Sequence, residues 1–235
     1  MLPKIQHPTF EVELPTTKER VRMRPMLVKE EKILLMGKQA DSRRERLDAV
    51  RQIVNNCLTT KVDIDNITMI DLEWMFIKLR SSSVSNISAV SYRDNEDDKV
   101  YEVSVDLDKV EFKTNGDATN VIRLDDSISI VLKYPTVGVY VDPDFYELDE
   151  DGMFDRIVSS SIDKIFVDDV GHSPSSYSKE ELTEFINELP ASAYSTIRDF
   201  YSGMPSLFYE VRYTNSLGTE RIIPLVTLDD FFMFV

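Results

Sequence analysis

Three pairs of short alternating segments, each pair joined by a polar turn, most strongly constrain what this chain can fold into. Residues 10–14 alternate apolar and polar side chains, and after the turn at 15–18 the alternation resumes as far as Pro25. The same pattern recurs over 87–107 and over 208–228. A period of two residues between turn residues is typical of β-hairpins. The sequence therefore predicts three antiparallel hairpins.

Apolar residues at helical spacing separate these hairpins. The sequence predicts a helix over about 28–58, which Gly37 and the polar run 41–44 bend or split, and a clearer helix over about 69–81. The further predicted elements are a strand over 128–134 and helices over about 153–166, 178–189 and 191–202. We therefore expect an α+β fold with an N-terminal β-hairpin plus helices, followed by two helix-then-antiparallel-hairpin units.

The two later helix-and-hairpin segments resemble each other when the chain is shifted by 121 residues. Val90 and Tyr92 then coincide with Val211 and Tyr213. We interpret the two segments as a duplication, with chance similarity between amphipathic hairpins as the alternative. The predicted division, which leaves open a single compact domain, is into an N-terminal hairpin with a basic helix (1–66), a helix plus β unit (67–140), and a helical segment plus C-terminal hairpin (141–235).

The inventory of reactive side chains argues against catalysis. The 235 residues include one cysteine, two histidines and seven glycines. This excludes an internal disulfide and a multi-thiolate metal site, and it disfavours a glycine-rich phosphate loop. Cys57 fits the apolar face of a helix, and His7 and His172 lie near prolines in polar stretches. We expect a protein that is not an enzyme, with no cofactor, no catalytic residue and no metal site.

The acidic segment 142–155 carries the main alternative from another functional class, a metal-assisted hydrolase. That hypothesis requires four aspartates to converge on one point: Asp142, Asp144, Asp149 and Asp151. The same segment fits a calcium-binding EF-hand loop poorly, because Val158 stands where the bidentate Glu belongs. A third hypothesis, a nucleic-acid mimic, needs a regular acidic stripe that the scattered spacing does not provide.

Charge is distributed unevenly along a chain whose formal net charge is −15. This acidity argues against nucleic-acid binding, and no apolar run approaches the roughly 18 residues of a membrane span. Residues 18–51 nevertheless hold 11 Lys and Arg against 6 Asp and Glu. We expect this basic segment, including Arg43, Arg44 and Arg46, to dock on an acidic partner or on an acidic patch of the same chain. A solvated helix face is the alternative.

The C-terminal segment 228–235 is more apolar than most chain ends. As a strand it would place Phe231 and Met233 on one face, and Phe232 and Phe234 on the other. We expect the first face to complete the core of the chain. The second face, Phe232 and Phe234, is then a candidate partner-binding surface.

Several stretches carry a resemblance to a known family. The most specific are the helix that contains Leu79-Arg80-Ser81 and the ending Leu228-Asp-Asp-Phe-Phe232. The other stretches are 10–14, 28–35, 71–84, 132–136, 180–186, Phe200 and Met204-Pro205. Over about residues 9–232 the chain resembles the baseplate proteins of T-even-type contractile-tailed bacteriophages, namely the hub component and its paralogue, the hub-assembly factor.

The resemblance implies a structural or assembly protein of a contractile phage tail baseplate that acts by protein–protein contacts in hub assembly. It carries over no catalytic residue. The implied partners are other tail or baseplate proteins, with self-association left open and with neither nucleic acid nor membrane. The implied location is the host cytoplasm during assembly, or the virion tail baseplate. The alternative is a tail assembly chaperone outside the virion, for example of the tape measure protein.

Overall fold

The computed structural model describes residues 5–114, 116 and 119–232, and these fall into two compact units. Unit 1 comprises the described residues of Met1–Ile64, Ile70–Lys113 and Ser206–Val235; unit 2 comprises those of Asp65–Met69 and Thr114–Pro205. The α+β class is confirmed. The division into the three consecutive segments 1–66, 67–140 and 141–235 stays a prediction.

Groups of strands and groups of helices follow one another along the described chain. In order they are β1 (Phe10–Glu13), β2 (Arg20–Met23), α1 (Val28–Lys38), α2 (Arg43–Cys57), α3 (Met69–Ser83), β3 (Ile87–Arg93), β4 (Val100–Asp106), β5 (Glu111–Lys113), β6 (Val121–Arg123), β7 (Ile128–Leu132), α4 (Val137–Val141), α5 (Glu150–Ser160), β8 (Ile162–Val167), β9 (Val170–His172), α6 (Lys179–Asn187), α7 (Ala191–Ser202), β10 (Ser206–Thr214), β11 (Glu220–Leu225) and α8 (Leu228–Phe232).

The three predicted hairpins are confirmed as β1–β2, β3–β4 and β10–β11, all antiparallel. The first long helix is split as expected. Ser42 starts α2, since its Oγ accepts a hydrogen bond from the Glu45 N–H at 3.1 Å. The first half, α1, packs closely on α2, because a Cβ at Gly37 would lie 2.8 Å from that of Ala49.

The helix predicted over 153–166 is wrong beyond Ser160, where the chain forms strand β8. Ile162 and Ile165 are both buried, and their three-residue spacing imitates one face of a helix. A strand without irregularity would point them to opposite faces. Here the register with β7 shifts by one residue next to Leu132, and this bulge keeps both isoleucines on the core side.

The strand predicted at the C-terminus is also wrong, because residues 228–232 form helix α8. Asp230 Oδ2 accepts hydrogen bonds from the Val226 and Thr227 N–H groups at 2.9 and 2.8 Å. In return, the Asp230 N–H donates to Thr227 Oγ1 at 3.3 Å. This reciprocal capping begins a helix in the segment that the sequence analysis treated as a strand. Met233 and Phe234 lie outside the described residues.

Unit 1 contains a three-stranded antiparallel sheet in the order β11-β10-β5. The chain leaves this unit after β5 and returns to it at β10, and those two strands pair directly, with Ser206 opposite Lys113. The two ends of the long insertion are therefore neighbours in one sheet. A chain can accommodate a large insertion between adjacent points without separating the parts that flank it.

The tips of β3–β4 and β10–β11 are joined by an ion pair between a buried aspartate and a partly exposed arginine. The Asp94 carboxylate, 1% exposed, accepts hydrogen bonds from Arg221 Nε at 2.9 Å and from Arg221 NH2 at 3.2 Å. The Tyr213 hydroxyl donates a third at 2.7 Å. Hydrogen bonds from Arg221 and Tyr213 hold the pKa of Asp94 below its ordinary value, although burial acts against them.

Further polar contacts surround this pair. The Asn215 side chain donates to Glu96 at 2.6 Å, and the Ser216 N–H donates to Asp97 at 3.0 Å. The Tyr101 ring stacks on the Tyr213 ring with centroids 4.7 Å apart. Each turn thus contacts the other through both side chains and backbone.

The layout of a helix followed by a hairpin occurs twice, as α3–β3–β4 and α7–β10–β11. Asp94 and Asn215 both start the hairpin turn, as the shift of 121 residues predicts. The second turn is one residue shorter, because Arg93 pairs with Val100 whereas Thr214 pairs with Glu220. Helix α7 belongs to unit 2, although its hairpin belongs to unit 1. Common origin of the two segments stays a prediction.

Helix α3 forms the centre of the unit 1 core. Leu72, Phe76 and Leu79 have no exposed area. The Phe76 ring meets the Phe232 ring edge to face, with centroids 5.3 Å apart. Asp71, also buried, accepts hydrogen bonds from the Thr16 N–H at 3.1 Å and from its hydroxyl, which ties the first hairpin to this helix.

Unit 2 is built on the antiparallel sheet β6-β7-β8-β9. Helices α5, α6 and α7 contribute to its core through Val158, Ile186 and Ile197, which pack with sheet residues such as Ile130. Within the described parts of both units, no helix is long and apolar enough to cross a membrane.

We predict that Phe76→Ala lowers the free energy of unfolding by about 3–5 kcal/mol, because it empties a fully enclosed site. Urea unfolding measures the change. Leu217→Ala is the control, since Leu217 is 64% exposed and should change stability by no more than about 0.5 kcal/mol. A loss below roughly 1 kcal/mol for Phe76→Ala would contradict the enclosed position.

Candidate functional site

The three candidate arginines lie on the first turns of α2, where Ser42 starts the helix. Arg43 is exposed, whereas Arg44 and Arg46 are only partly exposed. Arg44 lies 3.9 Å from Asp48 one turn later. Arg43 is therefore the most exposed of the three arginines, although its charge also acts on Glu73 within the chain.

Arg46 contacts other residues of the same chain. Its NH1 donates to the Ala40 carbonyl oxygen at 3.2 Å, and its Nε lies 3.8 Å from Asp229 Oδ1 on α8. This contact corresponds to docking on an acidic patch of the same chain, one of the two expectations for the basic segment. Docking of the arginines on a separate partner stays a prediction.

Glu73 on α3 is a titratable residue that the sequence analysis did not single out. Burial raises the pKa of its carboxyl group to about 8, and the charges of Asp229 and Asp230 act in the same direction. The charge of Arg43 opposes them. The available sequence signal was a carboxylate inside an otherwise apolar stretch of helix, a position that carboxylates rarely occupy unless they are paired.

The candidate partner-binding surface at the C-terminus, Phe232 and Phe234, does not have the predicted geometry. Phe232 is 6% exposed and packs on Phe76 within unit 1, so the expectation of an exposed ring on a strand face is wrong. The burial follows from the helical ending, which turns Phe231 and Phe232 both inward. Phe234 lies outside the described residues, and its role in partner binding stays a prediction.

The acidic segment 142–155 uses its carboxylates to cap helices and to pair with arginines. Asp142 accepts from Arg156 at 3.0 Å, and Asp149 accepts from the Gly152 N–H at 2.8 Å. Asp151 lies 3.3 Å from Arg198. Among the residues that the structure describes, no group of three or more His, Cys, Asp or Glu side chains is arranged to hold a metal ion. The convergence that the hydrolase hypothesis requires is therefore not present in this segment.

Comparison with known proteins relates the chain to a protein family. A family model described as T4 bacteriophage base plate protein matches residues 7–233, which is nearly the full chain and includes most of unit 1 and all of unit 2. No curated protein and no solved structure matches the chain.

We predict that Glu73 makes stability fall as pH rises. Because burial raises its pKa from 4.5 to about 8 in the folded protein, the native state keeps a proton that the unfolded chain has lost between those values. This stabilising contribution is complete below the unfolded pKa and is lost as pH rises through about 8. In urea unfolding at stepped pH, Glu73→Gln should flatten this part of the profile.

The matched control is Glu45→Gln, which removes an exposed carboxylate from the first turn of α2. The free energy of unfolding of Glu45→Gln should change with pH in the same way as that of the wild-type protein. Parallel profiles for the wild-type protein and Glu73→Gln would show that Glu73 titrates as an ordinary carboxylate.

Proposed function

Because the chain belongs to the T4 bacteriophage base plate protein family, we propose that it serves assembly of the baseplate hub by contacts with other tail or baseplate proteins. Membership indicates a phage baseplate protein with a structural role and an association with the virion tail. The proposal adds that the protein acts at the baseplate hub. It also adds that the protein acts by binding other proteins, without catalytic turnover and without a cofactor. Assembly then takes place in the host cytoplasm.

The observation that carries this proposal is the extent of the family match. It covers residues 7–233, so it includes the hairpins and helices of unit 1 as well as all of unit 2. The similarity therefore concerns the architecture of the chain and is not limited to one small module. A role that uses the whole folded chain, such as placement within an assembly, agrees with that extent.

The charge distribution supports contact with other proteins as the mode of action. The basic segment 18–51 lies on a chain with a net charge of −15, so surfaces of opposite sign are available for oriented contacts. We propose that the exposed Arg43 and the partly exposed Arg44 contact an acidic partner. Arg46 instead positions α2 against Asp229 of α8.

The distinction between hub component and assembly factor can be tested in infected cells. Quantitative mass spectrometry should find the chain in purified virions if it is a hub component, or only in hub-assembly intermediates if it is an assembly factor. Recovery only with the tape measure protein would favour the chaperone alternative. Absence from both virions and hub intermediates would contradict the proposal.

We predict that Arg43→Glu weakens co-purification with tail proteins, most strongly at low salt where surface charges are least screened. At a pH well below 8, where Glu73 keeps its proton in the folded protein, the free energy of unfolding should stay within about 0.5 kcal/mol of the wild-type value, because Arg43 is exposed and its neighbour Glu73 is uncharged. Arg123→Glu makes the same charge change on an exposed position of unit 2 and should leave co-purification unchanged. Equal recovery with both variants across salt concentrations would show that α2 is not an interface.

A further inference from the structure

Helix α1 has apolar side chains on two opposite sides. Leu34 is buried, and Gly37 faces the closely packed α2. On the other side, Val28, Leu35 and Met36 are 72%, 60% and 64% exposed. They are three of the six most exposed large apolar side chains in the described chain. A helix that is apolar on both sides is typical of a position enclosed by protein.

The exposed apolar residues form one stripe. Positions 28, 35 and 36 are separated by seven and eight residues, the spacing that brings side chains to the same face of a helix two turns apart. Lys32 lies between them on that face. The buried positions Leu34 and Gly37 fall on the opposite side. We call the exposed set of Val28, Lys32, Leu35 and Met36 the α1 stripe.

The exposed charges of α1 are all positive. Lys29, Lys32 and Lys38 are exposed, whereas Glu30 is fully buried and Glu31 is half-buried. The Glu30 carboxylate pairs with Arg24 at 2.9 Å inside the fold, and Lys29 Nζ lies 3.5 Å from it. The stripe therefore combines apolar side chains with the positive charge of Lys32 among them and of Lys38 beside them, on a chain that is strongly acidic as a whole.

We propose that the α1 stripe docks an acidic amphipathic helix of another baseplate protein. The basic surround selects an acidic partner and disfavours a basic one, because charges of like sign would meet at the contact. A helix fits because a neighbouring helix packs along the row of side chains that α1 presents. The inference rests on the proposed function, since it takes the partner from the baseplate.

A second copy of this chain is a poorer occupant. Its α6 exposes Glu180, Glu181 and Glu184, which would suit the lysines of α1. The apolar side of α6, however, is turned to the unit 2 core, where Ile186 is buried and Leu182 packs. A second copy would therefore offer acidic charge through this helix without an apolar row to cover the stripe.

Site-specific photo-cross-linking in infected cells tests the inference. A photoreactive amino acid replaces Leu35, and a second variant carries it at Met36 in case the first does not fold. The control variant carries it at Val170 in unit 2, which is 60% exposed, as Leu35 is. Peptide-level mass spectrometry then identifies the cross-linked segment.

The expected product joins position 35 or 36 to a segment of another baseplate protein with net negative charge and apolar residues at helical spacing. The Val170 variant should not give that product. Lys32→Glu with Lys38→Glu should reduce its yield roughly fivefold, as expected for losing two exposed charge pairs. The same charge changes at Lys164 and Lys179, both exposed in unit 2, should leave the yield unchanged.

Other outcomes overturn the inference. A product with a second copy of the chain, a product with a basic or non-amphipathic segment, or no product at either position would each do so. If the chain is present in baseplate intermediates in those experiments, the proposed function stands while this inference fails. If the chain is absent from virions and intermediates, both fail together.

Discussion

The ion pair between the buried Asp94 carboxylate and the partly exposed Arg221 is the contact that joins the tips of two hairpins of unit 1. The two residues are 127 positions apart along the chain, with most of unit 2 between them. A buried carboxylate is tolerated only when it is paired and hydrogen-bonded, and Asp94 accepts from both Arg221 and Tyr213. Together with the pairing of β5 and β10, this contact joins parts of unit 1 that the insertion separates along the chain.

Packing within unit 1 determines which of its charged and apolar side chains are exposed. Docking of α8 on α3 buries Phe232 and brings Asp229 to Arg46, so the C-terminal segment stabilises the fold and leaves the first turn of α2 with Arg43 exposed. Close packing at Gly37 places α1 beside α2. The α1 stripe, on the other side of α1, stays exposed. The exposed side chains of unit 1 therefore include Arg43 on α2 and the apolar and basic residues of the α1 stripe.

Local patterns predicted the hairpins and most helices, because alternation and capping act over a few residues. They failed where a local irregularity or a distant contact decides the structure. The bulge beside Leu132 puts Ile162 and Ile165 of β8 on one side, which imitates a helix. Phe232 is buried by Phe76, far away in the sequence. The raised pKa of Glu73 likewise depends on α8 and α2, so it could not be predicted from α3 alone.

The most direct test of this account is a double-mutant cycle on Asp94→Asn and Arg221→Gln, measured by urea unfolding. Either single change should destabilise the protein, and the double variant should lose clearly less than the sum of the two. The exposed pair Arg93 and Asp98, on the same hairpin with atoms 3.1 Å apart, provides the control cycle and should show little coupling. Additive losses for Asp94 and Arg221 would contradict the claim that this ion pair holds the two hairpins together.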